Sequence, residues 1–249
     1  MDKIFRKRLL KRESLIGIMV TVADQAILEA LARIGFDWLF IETEHAPKLA
    51  EQLNGIVLAA GGVPCLVRLS RNDEISVKRA LDSGAAGIIA PRVNSVDTCR
   101  KLVDFAKFPP LGSRGIGIAR ANQYGVNVRD YVDEANSGVS VVIQIEDREG
   151  IENLEEMLEI DGVDAVFIGP YDLSASIGHI GELDHQEIQN LIEHARLICS
   201  KARIPIGIFE SDCIGANRRL EQGFSLITIS SDISCIIHQT KSLLQNLSR

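Results

Sequence analysis

The sequence predicts an α/β barrel of eight parallel strands, each followed by a helix, and three observations carry that expectation. Short apolar runs rich in Ile and Val recur eight times, each leading into a segment with apolar residues at helical spacing. The chain has 249 residues, about the length such a barrel requires. No Gly-rich turn follows the first strand, which weakens the alternative of a doubly wound sheet with a dinucleotide site. The chain reads as one domain, 1–249, without linker, low-complexity segment or close internal repeat.

Taken in order, the basic start (Lys3, Arg6, Lys7, Arg8, Lys11, Arg12) reads as an amphipathic helix closing one end of the domain. Strand one is expected at 15–20. Residues 24–34 follow as a helix, with Ile27, Leu28, Leu31 and Ile34 on one face and Gly35 as its stop. Strand two is 37–41, its helix 49–60 ending at Gly61 and Gly62, and strand three is 64–69, with a helix over 73–83 stopped by Gly84. Strand four is 87–90 and its helix 96–105. The rhythm then breaks over 109–125, rich in Pro, Gly, Arg and Asn; a long connection of this kind usually forms part of a site. It resumes with strands at 139–145, 165–168, 205–209 and 224–229, and helices at 151–158, 185–201, 215–222 and 233–247.

Composition narrows the function. The chain is 46% apolar, enough for a large core, and its net charge of −7 gives no reason to expect nucleic acid as a partner. No apolar h-region of a secretory signal follows the basic start and no run reaches membrane-spanning length, so a cytoplasmic protein without a membrane partner is expected. The five cysteines are scattered, without C-x-x-C spacing, and Cys65 and Cys199 lie in apolar runs as core filler.

In a barrel of this kind the C-terminal strand ends carry the chemistry. Those ends hold Glu42, Glu44 and His45 after strand two, Arg68 after strand three and Arg92 after strand four. Strand five supplies Gln144 and Glu146, strand six Gly169, Pro170, Tyr171 and Asp172, and strand seven Glu210. Hard oxygen ligands on neighbouring strands, Glu146 and Asp172, can hold a divalent cation and leave positions open for substrate. Asp172, followed by Leu173 and Ser174, also suits a helix-capping acid. His45 can move a proton near neutral pH, and Arg68 suits an anionic oxygen, although a structural ion pair would also satisfy it. No lysine lies within any strand, which argues against a Schiff base. No His-x-x-x-His spacing points to zinc, and His179 and His185, six apart, stand outside this inventory. The turn from Gly112 to Gly117 could place Arg114 or Arg120 over the barrel mouth. Cation, arginine and acid/base histidine without a covalent nucleophile suit chemistry through an enolate.

The run Gly35-Phe36-Asp37-Trp38 leading to Glu44-His45-Ala46-Pro47 is one of several ordered motifs. Val67-Arg68, Pro109-Pro110-x-Gly112-x-Arg114-Gly115, Gln144-Ile145-Glu146 and Gly169-Pro170-x-Asp172-Leu173-Ser174 follow it. Together they resemble the HpcH/HpaI aldolase family, class II pyruvate aldolases of the phosphoenolpyruvate/pyruvate barrel superfamily. The resemblance implies reversible cleavage of a 4-hydroxy-2-oxo acid to pyruvate, or a close 2-oxo acid, and an aldehyde, with Mg²⁺, Mn²⁺ or Co²⁺. It implies that Glu146 and Asp172 ligate the metal, Arg68 meets the enolate oxygen, and Gln144 joins the metal and substrate shell. His45 would be the acid/base and Asp82 the acid that orients it, while the backbone N–H groups of Tyr171 and Asp172 would hold the pyruvate carboxylate. It also implies hexamers built from dimers that exchange the last helix. Glu42 stands where aspartate is expected, and Tyr171 where many members have alanine, which leaves the aldehyde partner open. Two other readings remain: an acyl-CoA ester lyase of the same superfamily, using Arg92, Arg114 and Arg120 for the CoA phosphates, or a non-catalytic 2-oxo acid binding protein.

Overall fold

In the computed structural model, which describes residues 3–247, the apolar runs pair in sequence order into one closed parallel barrel. Its strands are β1 (Leu15–Val20), β2 (Trp38–Glu42), β3 (Cys65–Arg68), β4 (Gly87–Ala90), β5 (Ser140–Ile145), β6 (Ala165–Ile168), β7 (Ile206–Glu210) and β8 (Leu226–Ser231). The ends of the 1–249 span lie outside the described residues. Unbroken apolar runs suit strands buried on both faces, and the two faces meet different partners. Inward, Leu15, Trp38, Phe40, Leu66, Ile89, Val142, Phe167 and Leu226 fill the barrel; outward, Ile18, Leu39, Ile41, Val67, Ile88, Val141, Ile143, Ile168 and Ile208 meet the helix ring. Trp38 fits because Gly17 on β1 lies opposite it: a Cβ there would come within 2.6 Å of the indole.

The ring helices are α2 (Gln25–Ala32), α3 (Pro47–Ala59), α4 (Glu74–Asp82), α5 (Val96–Ala106), α7 (Arg148–Glu152), α8 (Leu154–Met157), α9 (Pro170–Ser176), α10 (Gln186–Ala202), α11 (Cys213–Glu221) and α12 (Asp232–Gln245). Many begin at an oxygen that accepts an otherwise orphaned N–H of the first turn, as Asp24, Asp73, Ser95, Asp147, Asp212 and Ser231 do. Cys65, Cys99 and Cys199 are buried in the core, where burial pushes each thiol up to about 12.

Two further helices close the floor of the barrel, where the strands begin. The basic start forms α1 (Lys3–Leu10), as expected, and inserts Phe5 and Leu9 into the inner cluster. Its Arg6 Nη2 reaches Asp164, just before β6, at 2.6 Å. The second is α6 (Val128–Gly138), which lies between the expected elements; Arg6 Nη1 donates to its Ser137 carbonyl.

The connection over 109–125 corrects an expectation. It joins the end of α5 to α6 and β5, so it runs along the floor and not over the mouth. Arg114, 1% exposed, lies against the rings of Phe108 and Tyr131, with Nη2 donating to Asp82 at 2.8 Å and to the Tyr131 hydroxyl. Arg120 donates to the Ser83 carbonyl. Pro, Gly and Asn mark an irregular connection but not the end of the barrel on which it falls.

Candidate active site

At the opposite end, β2, β3, β5 and β6 finish beside one another and bring a group of carboxylates onto one guanidinium. Parallel register sets Glu42 beside Arg68. Arg68 Nη2 bonds Glu42, Nε lies 3.4 Å from Glu44, and Nη1 lies 3.9 Å from Glu146. Its carbon centre sits 5.4 Å from the Phe40 ring centroid, so an aromatic face supports the cation from below. Glu42 Oε1 accepts from the backbone N–H groups of Glu44 and His45, at 2.6 and 3.1 Å, and so shapes the turn that carries the histidine.

Glu146, the first residue after β5, is 4% exposed. It accepts from Gln144 Nε2 and from the Arg92 backbone N–H at 3.0 Å. Arg92 gives that bond from the left-handed region, φ 50°, an unusual conformation for a residue with a side chain. Burial and the neighbouring charge of Asp172 push the Glu146 carboxyl up to about 7, against the opposing pull of Arg68. Burial likewise raises Glu44, with Arg68 and His45 opposing it. Asp172 lies in the first turn of α9; Pro170 opens that helix because its fixed φ suits the first position and its missing N–H costs nothing there. Gly169 is required by the site: a Cβ would approach Glu146 and Gln144 within 2.8 and 2.9 Å.

These groups edge a cavity of about 330 Å³ lined by His45, Arg68, Gln144, Gly169, Pro170, Tyr171 and Asp172, with Met19, Phe40, Phe167 and Phe209 as its apolar wall. Tyr171 and Phe209 rings pack at 6.3 Å. The apolar members read in sequence as barrel wall, and only inward register at a strand end would have separated them. His45 is on the rim, 70% exposed, with Nε2 3.9 Å from Glu44. Asp82 is not beside it. It ends α4, at the floor, where it pairs with Arg114.

The donor set fits a divalent cation on two observations. Gln144 Oε1 is buried without a hydrogen-bond partner, and burial with the neighbouring Asp172 charge raises the Glu146 carboxyl in a way that a cation relieves. No lysine is among the described residues that line this cavity. Lys107, lowered to about 8 by burial, donates to the Asn136 and Val139 carbonyls at the floor.

The model of the HpcH/HpaI aldolase/citrate lyase family matches residues 15–239. A 2-dehydro-3,6-dideoxy-6-sulfogluconate aldolase from Pseudomonas putida is 37% identical, over 95% of this chain and 94% of its own. A 4-hydroxy-2-oxo-heptane-1,7-dioate aldolase from Salmonella dublin is 36% identical, over 98% and 94%. Among solved structures, an HpcH/HpaI aldolase/citrate lyase family protein from Burkholderia cenocepacia J2315 superposes with a TM-score of 0.94 at 33% identity, covering 98% of each chain. With the barrel and its strand-end cluster, these matches make the chain a carbon–carbon lyase of the HpcH/HpaI aldolase/citrate lyase family.

Proposed function

We propose that the chain is a divalent-cation-dependent class II aldolase that reversibly cleaves a 4-hydroxy-2-oxo acid to pyruvate and an aldehyde. The observation that carries this reading is the oxygen set of Glu146, Asp172 and the unpartnered Gln144 Oε1 beside Arg68 at the strand ends. Glu146 and Asp172 would hold Mg²⁺, Mn²⁺ or Co²⁺, which when bound supplies Lewis-acid polarisation of the 2-oxo group. Arg68 donates to the oxygen that gains charge as the C3–C4 bond breaks. His45 takes the proton of the C4 hydroxyl in that step, and its exposure on the rim leaves it open to substrate. The first-turn N–H groups of Tyr171 and Asp172 hold the carboxylate. Glu42 keeps Arg68 and the histidine turn in place.

The CoA-ester reading loses two of its three arginines, because Arg114 and Arg120 are engaged at the floor. The filled strand-end positions favour a catalyst over a passive binder. No helix among the described residues is long and apolar enough to cross a membrane, and a cytoplasmic enzyme without nucleic-acid partners fits the reading. Assembly follows from α12. Its Ile233, Ile236, Ile237, Leu243 and Leu244 are 41–60% exposed, more apolar surface than a single copy needs to show. Exchange of this helix between subunits, in dimers built up to a hexamer, would cover it.

Borohydride trapping tests the reaction class. Treatment in the presence of pyruvate should add no mass and cause no inactivation; a reduced pyruvyl adduct on any lysine would refute the class II reading.

A further inference from the structure

Beyond α9 the chain makes two close turns before α10, and they carry a cluster that the aldol reading does not use. His179 N–H donates to the Ser174 carbonyl at 2.9 Å, Glu182 N–H to His179 at 3.0 Å, and His185 N–H to Glu182 at 2.8 Å. Ser174 Oγ accepts from Gly181 N–H at 2.9 Å, strapping the loop to α9. The turns stack the His179 and His185 rings with centroids 3.6 Å apart and planes 20° from parallel. His179 Nδ1 lies 3.3 Å from Glu182 Oε2, and one ligand atom from each of the three residues lies within 4.8 Å of the others.

We propose that His179, Glu182 and His185 form a second cation site, separate from the barrel mouth, that takes Zn²⁺ or a cation of similar softness. Donors about 2.0–2.2 Å from a tetrahedral zinc ion lie about 3.4 Å apart, the separation His179 and Glu182 already have. A turn of the His185 ring completes three donors. That ring is held by its stack on His179 and by a 3.3 Å bond from the Glu187 N–H to Nδ1, which ligation to a cation would replace. The two sites differ in chemistry. The barrel mouth offers oxygen alone and suits Mg²⁺ or Mn²⁺, whereas two imidazoles and a carboxylate suit Zn²⁺, Cu²⁺ or Ni²⁺. Ser174 Oγ also donates to the Tyr171 carbonyl at 2.6 Å, so a cation in this loop is braced against the turn that carries Asp172. This inference does not depend on the reaction proposed above.

The test removes the barrel-mouth ligands first, in a Glu146→Gln/Asp172→Asn double variant, and measures Zn²⁺ retained after equilibrium dialysis against excess Mg²⁺. One zinc per chain is expected. It should be lost on adding His179→Ala or His185→Ala and weakened by Glu182→Gln, while circular dichroism stays unchanged. Imidazole NMR on the double variant needs no further substitution: Zn²⁺ should shift His179 and His185 and spare His45, His194 and His238. No retained zinc, zinc retained without either histidine, or shifts confined to other histidines would each overturn the site. The pair would then be a stacked helix cap only.

Discussion

At the scale of residues, acidic side chains are arranged around Arg68. Glu42, Glu44 and Glu146 all approach it, with Asp172 close enough to Glu146 to raise its carboxyl. Glu146→Gln or Asp172→Asn should therefore weaken cation binding and abolish turnover while the fold survives, as calorimetric metal titration beside circular dichroism will show. The pH dependence follows with a definite sign. A carboxyl raised to about 7 in the fold, from an ordinary 4.5, keeps its proton longer than in the unfolded chain. It thus makes the metal-free protein lose stability as pH rises from about 4.5 through 7. A divalent cation reverses this, so its stabilising shift in Tm should be larger at pH 8 than at pH 6, and the Glu146→Gln variant should lose that difference. His45→Ala should slow cleavage by roughly 10²–10⁴-fold yet leave Arg68 to stabilise the enolate, so exchange of pyruvate methyl protons with deuterated solvent persists. Arg68→Ala should suppress exchange and cleavage together. Near-normal cleavage by His45→Ala would move the proton role to Glu44 or to water.

At the scale of elements, strand ends were the most legible part of the sequence. Glu42, His45, Arg68, Gln144, Glu146 and Asp172 are polar residues in or after buried runs, and the parallel register brings those ends together. Asp82 as the acid that orients His45 is an expectation from family likeness alone. Within one chain Asp82 lies at the floor, because a helix that follows a strand returns to the strand starts. The same directionality explains the connection over 109–125, and α6 was missed because its apolar stripe, Tyr131 and Ala135, is thin and lies among polar residues. Gly169 gives an element-level test. Gly169→Ala pushes a methyl group into Glu146 and Gln144, and overpacking of this kind costs about 1–3 kcal/mol; cation affinity should fall with stability in parallel thermal and binding measurements. The C-terminal helix gives another. Among its described residues only Asp232 is buried, bonded to Thr21 and Val22 at the end of β1. Deleting the residues after Asp232 should leave the barrel start intact but collapse the oligomer or aggregate the protein; a soluble, active monomer by light scattering would contradict the exchange.

At the scale of the whole molecule, the two ends of the barrel do different work. The floor is sealed by α1 and α6, with Phe5 and Leu9 plugging the interior, Lys107 and Arg6 bonded to nearby carbonyls or acids, and Arg114 Nη2 bonded to Asp82 and Tyr131. The mouth gathers the carboxylates around Arg68 and an unpartnered Gln144 Oε1 beside an apolar wall. The alternation of strand and helix in the sequence implied that the strand ends gather at one end of the barrel. Tyr171 and Phe209 narrow that side of the cavity with two rings, a feature visible only once β6 and β7 are adjacent. The most direct test of the central claim is pyruvate release from a panel of 4-hydroxy-2-oxo acids by chelator-stripped protein, before and after adding Mg²⁺ or Mn²⁺. The account predicts negligible release without the cation and restored release with it for at least one acid. Full release by the stripped protein, or none from any acid with either cation, would contradict it.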